Sequence, residues 1–325
     1  PDCAHAITNT GATVLKYLCM STMHSVEVVG YPDSGKFASA AGPAGTLRRM
    51  SAPHPFDDAI ALAPAGQDTF SGHSHPAYWN MIGPSDGLTA AMALNAVLQH
   101  PQLLGEPISL TVNFAGPVGQ GPITARARPA RTNRSTQHWW VELVQTGADG
   151  SEQVSTTATV VTAARRPTWG ASDVPMPAVP APDAVPRSDR SGGPVAWIAR
   201  YEVRSLQGDL PQQWDGQTAD DTLTRWWLRD DPPRPLDFAS LTAMADVFFP
   251  RVWLRRATRV PVGTVSMTVY FHADGAQLAS CGSGHLLAEA RALNFRHGFF
   301  DQTGLLWNAQ GHLLCSTHQI VYYKE

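Results

Sequence analysis

Two stretches 157 residues apart (266 − 109) carry the same pattern. Ser109-Leu110-Thr111-Val112-Asn113-Phe114 and Ser266-Met267-Thr268-Val269-Tyr270-Phe271 each alternate apolar and polar residues, as half-buried strands do. Each is preceded by one helical stretch. The first runs from Ser85 to about His100 with Ser85 as N-cap, the second from Asp237 to Phe249 with Asp237 as cap and Pro250 as stop. Each is followed by three strand-like runs: Ile123–Arg131, His138–Gln145 and Gln153–Thr162, then His285–Phe295, Phe299–Trp307 and Leu313–Tyr323. Asp149-Gly150 and Gln310-Gly311 sit where hairpins turn. A period this long signals a tandem duplication of a domain rather than a solenoid.

The first helix is apolar nearly all round, with Leu88, Ala90, Ala91, Met92, Ala93, Leu94, Ala96, Val97 and Leu98 covering most of its circumference. Such a helix is buried. One buried helix with an antiparallel sheet curled about it is the hotdog arrangement, and two copies make a double hotdog of α+β class. Residues 50–166 and 195–325 form the two repeats. Between them, 167–194 are dense in proline, which favours extended chain, so this stretch reads as a linker across the surface. Residues 1–49 lack sustained periodicity and read as an N-terminal extension, with Met50 as the expected natural start or, alternatively, 1–49 as a short subdomain.

Of the 325 residues, 43% are hydrophobic and 16% charged, enough apolar material for a sizeable core. The net charge of −3 favours neither nucleic acid nor an anionic membrane. No apolar run approaches the ~18 residues of a membrane span, and the N-terminus has no secretory pattern, so the cytoplasm is the expected location. Cys3, Cys19, Cys281 and Cys315 lack CxxC spacing and read as free thiols.

Several catalytic patterns are absent from the sequence. Cys281-Gly282-Ser283-Gly284 lacks the first glycine of a nucleophile elbow, and no P-loop or GxGxxG occurs. His73 and His75 share a strand face but have no HExxH or carboxylate partner nearby in sequence, so satisfied, partly buried histidines are expected and no metal. The second repeat, however, places polar residues where a plain core would not. Asp246 sits near the end of a mostly apolar helix, where a lone carboxylate is costly unless satisfied. Gln319 lies in the last strand and Thr264 opens the strand after the helix. In a sheet that wraps its helix these three converge. The bland alternatives are an ion pair from Asp246 to Arg251 or Arg255, and ordinary strand positions for Gln319 and Thr264.

At these residues the chain resembles the acyl-CoA thioesterase II group and the wider thioesterase-like family with tandem hotdog domains. The matching stretches include Met244-Ala245-Asp246, Val262 to His272, Ala288-Glu289-Ala290-Arg291, Gly298 to Gln302 and Gly311 to Gln319. In the first repeat they include Pro76-Ala77-Tyr78-Trp79-Asn80 and Gly83-Pro84. After that Gly-Pro the chain has Ser85-Asp86 where the group carries an aromatic and a glycine. The resemblance implies hydrolysis of an acyl-CoA to free acid and CoA, without cofactor, through a water held by Asp246, Thr264 and Gln319. It also implies a homodimer. The repeat places Pro107 opposite Thr264 and, by aligning Ser155-Thr156-Thr157-Ala158 with Ser316-Thr317-His318-Gln319, Ala158 opposite Gln319. Neither orients a water through its side chain, so one site per chain is expected.

For substrate contacts, Arg251, Arg255, Arg256 and Arg259 form a basic cluster suited to the phosphates of CoA, or to a solvated face. Phe248, Phe249, Trp253 and Tyr270 are candidates for an apolar acyl pocket, or for core. Two rival readings use the same fold: a hydratase or dehydratase built around His272, and a non-catalytic acyl-CoA binder.

Overall fold

In the computed structural model the described residues are 28–31, 36–39, 48–49, 53–147, 149–190, 193 and 195–325. The chain divides into two compact units, Pro1–Pro53 and His54–Glu325. In the first, strands β1 (Val28–Tyr31), β2 (Lys36–Ser39) and β3 (Arg48–Arg49) pair in an antiparallel ladder. Met50, Cys3, Cys19 and most of the stretch 1–49 lie outside the described residues.

The second unit opens with α1 (Pro55–Ala59), β4 (Ala63–Gly66) and β5 (Thr69–His73), followed by α2 (Asp86–Leu98). Strands β6 (Glu106–Phe114), β7 (Pro122–Thr132), β8 (Thr136–Thr146) and β9 (Glu152–Ala163) complete the first repeat. The second repeat has β10 (Tyr201–Gln207), β11 (Thr224–Asp230), α3 (Phe238–Met244), α4 (Arg251–Arg256) and β12 (Val262–Phe271). It closes with α5 (Gly275–Ser280), β13 (Leu286–Arg291), β14 (Phe295–Arg296), β15 (Phe299–Trp307) and β16 (Leu313–Tyr323). The helix and the strands that follow it thus occur twice, as the sequence pattern predicts, and two strands precede the helix in each repeat.

All strands of the second unit join one antiparallel 13-stranded sheet in the order β10-β11-β13-β15-β16-β12-β6-β9-β8-β7-β5-β4, with β14 beside β15. The repeats meet at β12 and β6. There Thr268 faces Thr111, Val269 faces Leu110 and Met267 faces Val112. The hydroxyls of Thr111 and Thr268, 157 positions apart, lie within 3.0 Å, so this pair marks a pseudo-twofold axis. Both strands bulge at the equivalent place, between Pro107 and Ser109 and between Thr264 and Ser266. The ladder corrects one alignment. Leu110 faces Val160, while its counterpart Met267 faces Gln319. Val160, not Ala158, is therefore the partner of Gln319 under the pseudo-symmetry.

Helix α2 is buried from Gly87 to Leu94 and at Ala96 and Val97, and its N-cap Ser85 accepts the Leu88 amide at 3.4 Å. Asp237 caps α3 by accepting the Ser240 amide at 2.8 Å. The helix expected over Asp237–Phe249 is shorter than its apolar run suggests. It ends at Met244, where the chain tightens as the Asp246 amide bonds to the Ala243 carbonyl at 3.2 Å. Pro250 then caps the start of α4 rather than stopping α3. No helix among the described residues is long and apolar enough to cross a membrane.

The main core lies between the helices and one face of the sheet. The described part of the proline-rich stretch, 167–190, crosses the opposite face of the second repeat. Met176, Val179 and Val185 pack there on Trp227, Leu287 and Trp307, and the indole N–H of Trp227 donates to the Pro180 carbonyl at 2.8 Å. Nearby, Glu202 on β10 is buried. It accepts from Arg229 at 2.6 and 2.9 Å and from Arg204 at 2.8 Å, and its carboxylate lies 3.0 Å from the His285 ring nitrogen. Burial pushes its pKa up, but these partners outweigh burial and bring it to about 2. A depressed carboxylate stabilises the fold above its ordinary pKa of 4.5, and that stabilisation is lost as pH falls toward 2. Glu202→Gln should therefore cost up to about 3 kcal/mol at neutral pH, its arginine partners being partly exposed. It should also flatten the loss of stability between pH 4.5 and 2. Urea unfolding across pH checks both.

Candidate active site

The antiparallel pairing of α2 and α3 brings the N-terminus of one beside the C-terminus of the other. Gly87, in the first turn of α2, has an amide with no partner inside its own helix. It donates to Asp246 Oδ2 at 2.7 Å. Gln319 Nε2, from β16, donates to Asp246 Oδ1 at 2.8 Å and lies 3.4 Å from Met267 Sδ. Three distant segments thus meet on one carboxylate. Asp246 forms no ion pair with Arg251 or Arg255, so the structural salt bridge is not what holds it.

Thr264 sits beside the bulge in β12, which re-aims the side chains around it. Its hydroxyl faces the carboxylate of Asp86, the first residue of α2, closely enough to favour that group's ionised form. The structure joins Asp246 to Gln319 and sets Thr264 against Asp86, the residue preceding the Gly87 that binds Asp246. Asp86 is the residue that sequence reasoning passed over as a site group. An acid in the first turn of a helix is ordinary, and the one signal was its departure from the family's glycine.

Both carboxyls are harder to ionise than usual. Burial pushes Asp86 up to about 6 against the opposing Thr264 bond. Burial also raises Asp246, the charge of Asp86 adds to it, and the bonds from Gln319 and Gly87 oppose it. Among the described residues no arginine, lysine or histidine acts on either group.

Other expected contacts fare unevenly. Arg251 is 0% exposed. Its guanidinium donates to the carbonyls of Phe249 and Thr222 and to the Thr224 hydroxyl. It is thus a structural cation, not a phosphate ligand. Tyr270 is 53% exposed on the face of β12 opposite Met267 and Val269, away from any acyl pocket on the helix side. Phe248 stacks on Trp226 with centroids 5.3 Å apart, and Phe249 leans on the same ring. The Trp253 indole donates to the Val260 carbonyl, and Arg259 lies over Trp214. Arg255 and Arg256 line a cleft of about 690 Å³ with Arg291, Phe295 and Tyr323, and Asp220 and Asp221 on its wall. Arg256 is itself paired with Glu325. Tyr323 is four residues beyond Gln319 on β16, about 13 Å along the strand.

His75 caps the short helical turn Pro76–Tyr78 and meets Asp58 at 3.1 Å. Among the described residues no three His, Cys, Asp or Glu side chains cluster as metal ligands would. His272 follows the end of β12, eight residues from Thr264, and meets the Ser316 hydroxyl at 3.0 Å. Eight residues of strand span about 26 Å, too far to join this site.

The domain family described as "Acyl-CoA thioesterase N-terminal domain" matches residues 75–163, and "Acyl-CoA thioesterase C-terminal domain" matches 175–323. The chain belongs to this acyl-CoA thioesterase family of tandem hotdog proteins. Within the family's fold, it is 44% identical to a conserved hotdog protein of unknown function from Alicyclobacillus acidocaldarius. That match covers 84% of this chain and 99% of the other, with a TM-score of 0.78. The acyl-CoA thioesterase II TesB2 of Mycobacterium marinum shares the fold at 17% identity and TM-score 0.63, covering 83% and 98% of the two chains. A tesB protein of Mycobacterium avium subs paratuberculosis does so at 18% and 0.65, covering 83% and 98%. A search of curated proteins gives no match.

Gly87 is fixed by this packing. A Cβ there would lie 2.7 Å from the Ala243 carbonyl oxygen and 2.9 Å from Asp246 Cβ, closer than any real contact. Gly87→Ala should push α2 from α3, cost about 1–3 kcal/mol and displace Asp246. Thermal unfolding together with a crystal structure of the variant checks this.

Proposed function

We propose that the protein hydrolyses an acyl-CoA thioester to the free acid and CoA, using a water held by Asp246, Thr264 and Gln319. The observation that carries this reading is the pair of hydrogen bonds joining Asp246 to Gln319 and to the Gly87 amide. Each carboxylate oxygen keeps a lone pair for a water proton. Raised basicity in a buried setting suits a general base. Thr264 and Gln319 both donate and accept, so they fix the direction from which the water attacks. Hydrolysis then proceeds by attack on the thioester carbon as Asp246 takes the water's proton.

One site per chain fits the pseudo-symmetry, because Pro107 and Val160 occupy the positions of Thr264 and Gln319. Phe248 and Phe249, next to Asp246 in sequence, offer an apolar wall to the acyl chain. The phosphates of CoA fit the cleft of Arg255, Arg256 and Arg291, which lies along the same face of β16 as Gln319. Association into a homodimer belongs to the same reading.

Asp246→Ala should reduce hydrolysis of acyl-CoAs at least about 10²-fold while circular dichroism shows the fold intact. Release of free CoA, followed with a thiol reagent over several chain lengths, is the assay. Retained turnover would remove Asp246 from the mechanism. Arg255→Ala should raise KM about tenfold with kcat little changed, the signature of lost uniform binding. Initial-rate kinetics on one acyl-CoA separates the two constants.

A further inference from the structure

Asp86 stands where the acyl-CoA thioesterase II pattern has glycine, and nothing in the roles of Asp246, Thr264 and Gln319 requires a second acid. Its position is set by three contacts. It is the first residue of α2, so its neighbour Gly87 carries the amide that holds Asp246. Its own carboxylate faces the Thr264 hydroxyl, which favours its ionised form. The backbone of Gly87 lies so close to the Asp246 side chain that no Cβ fits between them. Asp86 is therefore joined by a single peptide bond to the amide that binds the Asp246 carboxylate, in a partly buried site.

Among the described residues the groups around the pair are polar but not cationic. From β12 comes Thr264, from β16 Gln319, and from α2 the Gly87 amide. From β10 the buried Tyr201 phenol feels the charge of Asp246 and is held neutral, chiefly by burial. Two like charges in such a place oppose each other's ionisation, so the two carboxyls titrate as a unit.

We propose that Asp86 is a catalytic residue, forming with Asp246 a one-proton carboxyl pair that supplies both the base and the acid of thioester hydrolysis. The inference rests on the hydrolytic reading given above. In the first step the ionised member takes a proton from water as the water oxygen bonds to the thioester carbon. In the second the C–S bond breaks, its electron pair goes to sulfur, and the protonated member gives its proton to that sulfur. The products are the carboxylic acid and the CoA thiol. The pair ends with one proton, now on the other member, so no outside acid is needed. The leaving thiolate is thus protonated inside the site rather than by solvent.

The test compares the full-length protein with Asp86→Asn and Asp86→Glu, after circular dichroism confirms that each folds. The wild type should show a bell-shaped kcat against pH, because only the singly protonated pair works. Asp86→Asn should lower kcat about 10²-fold, lose the alkaline limb and move the acid limb to lower pH, since the repulsion on Asp246 is gone. Asp86→Glu should restore a bell. An infrared titration of the protein without substrate should show a protonated carboxyl persisting near neutral pH, absent from Asp86→Asn. The proposal is overturned if Asp86→Asn keeps the wild-type rate and both limbs, or if the infrared titration finds both acids ionised above the ordinary aspartate range. If the wild type cleaves no acyl-CoA, hydrolysis and the catalytic role of Asp86 fall together. The infrared titration, which needs no substrate, then tells whether the shared proton itself survives.

Discussion

The carboxylate of Asp246 is gripped by both repeats at once. The backbone of α2 reaches it from the first, and Gln319 reaches it from the second. A carboxylate taken from water needs such partners, and here they require the helices to touch. The contact explains several features together. Gly87 must lack a side chain, α3 must stop early so that Asp246 leaves the helical path, and the final strand must present an amide rather than an aliphatic residue at position 319. Because the grip joins distant parts of the chain, the site forms only when both repeats are folded and docked.

Duplication supplies two equivalent sets of backbone positions, one in each repeat, yet the residues have diverged. The Thr111–Thr268 pair and the matching bulges show how closely the backbones still agree. The side chains do not. Proline and valine stand in the first repeat at the ladder positions where threonine and glutamine stand in the second. Backbone symmetry with side-chain asymmetry lets one repeat specialise as wall and support, while the other carries the polar groups.

Much of this was legible in the sequence. Strands β15 and β16 begin and end where alternation predicts, and α2 follows its cap and its continuous apolar surface. The meeting of Asp246 with Gln319 could be anticipated because a lone acid in an apolar run demands a partner. The rest depended on tertiary contacts that local pattern does not encode. Arg251 looks like its neighbours Arg255 and Arg256, but carbonyls from residues 222 and 249 enclose it. The repeat alignment slipped by two in the last strand because similar Ser-Thr runs outweighed the true ladder. Helix α3 reads too long because apolar residues continue past Met244 in a turn. Asp86 was masked by its commonplace position in a first helical turn, and its proximity to Asp246 emerges only once α2 meets α3.

The proline-rich stretch between the repeats has a bearing on assembly. By lying over Trp227, Leu287 and Trp307 it turns the outer side of β11, β13 and β15 into an interior. That part of the sheet is sandwiched by its own chain. A neighbouring molecule seeking to stack on it would first have to peel the covering away, breaking the bonds from the indoles of Trp227 and Trp307. Any face-to-face stacking between copies is thereby steered toward the strands that the covering leaves bare.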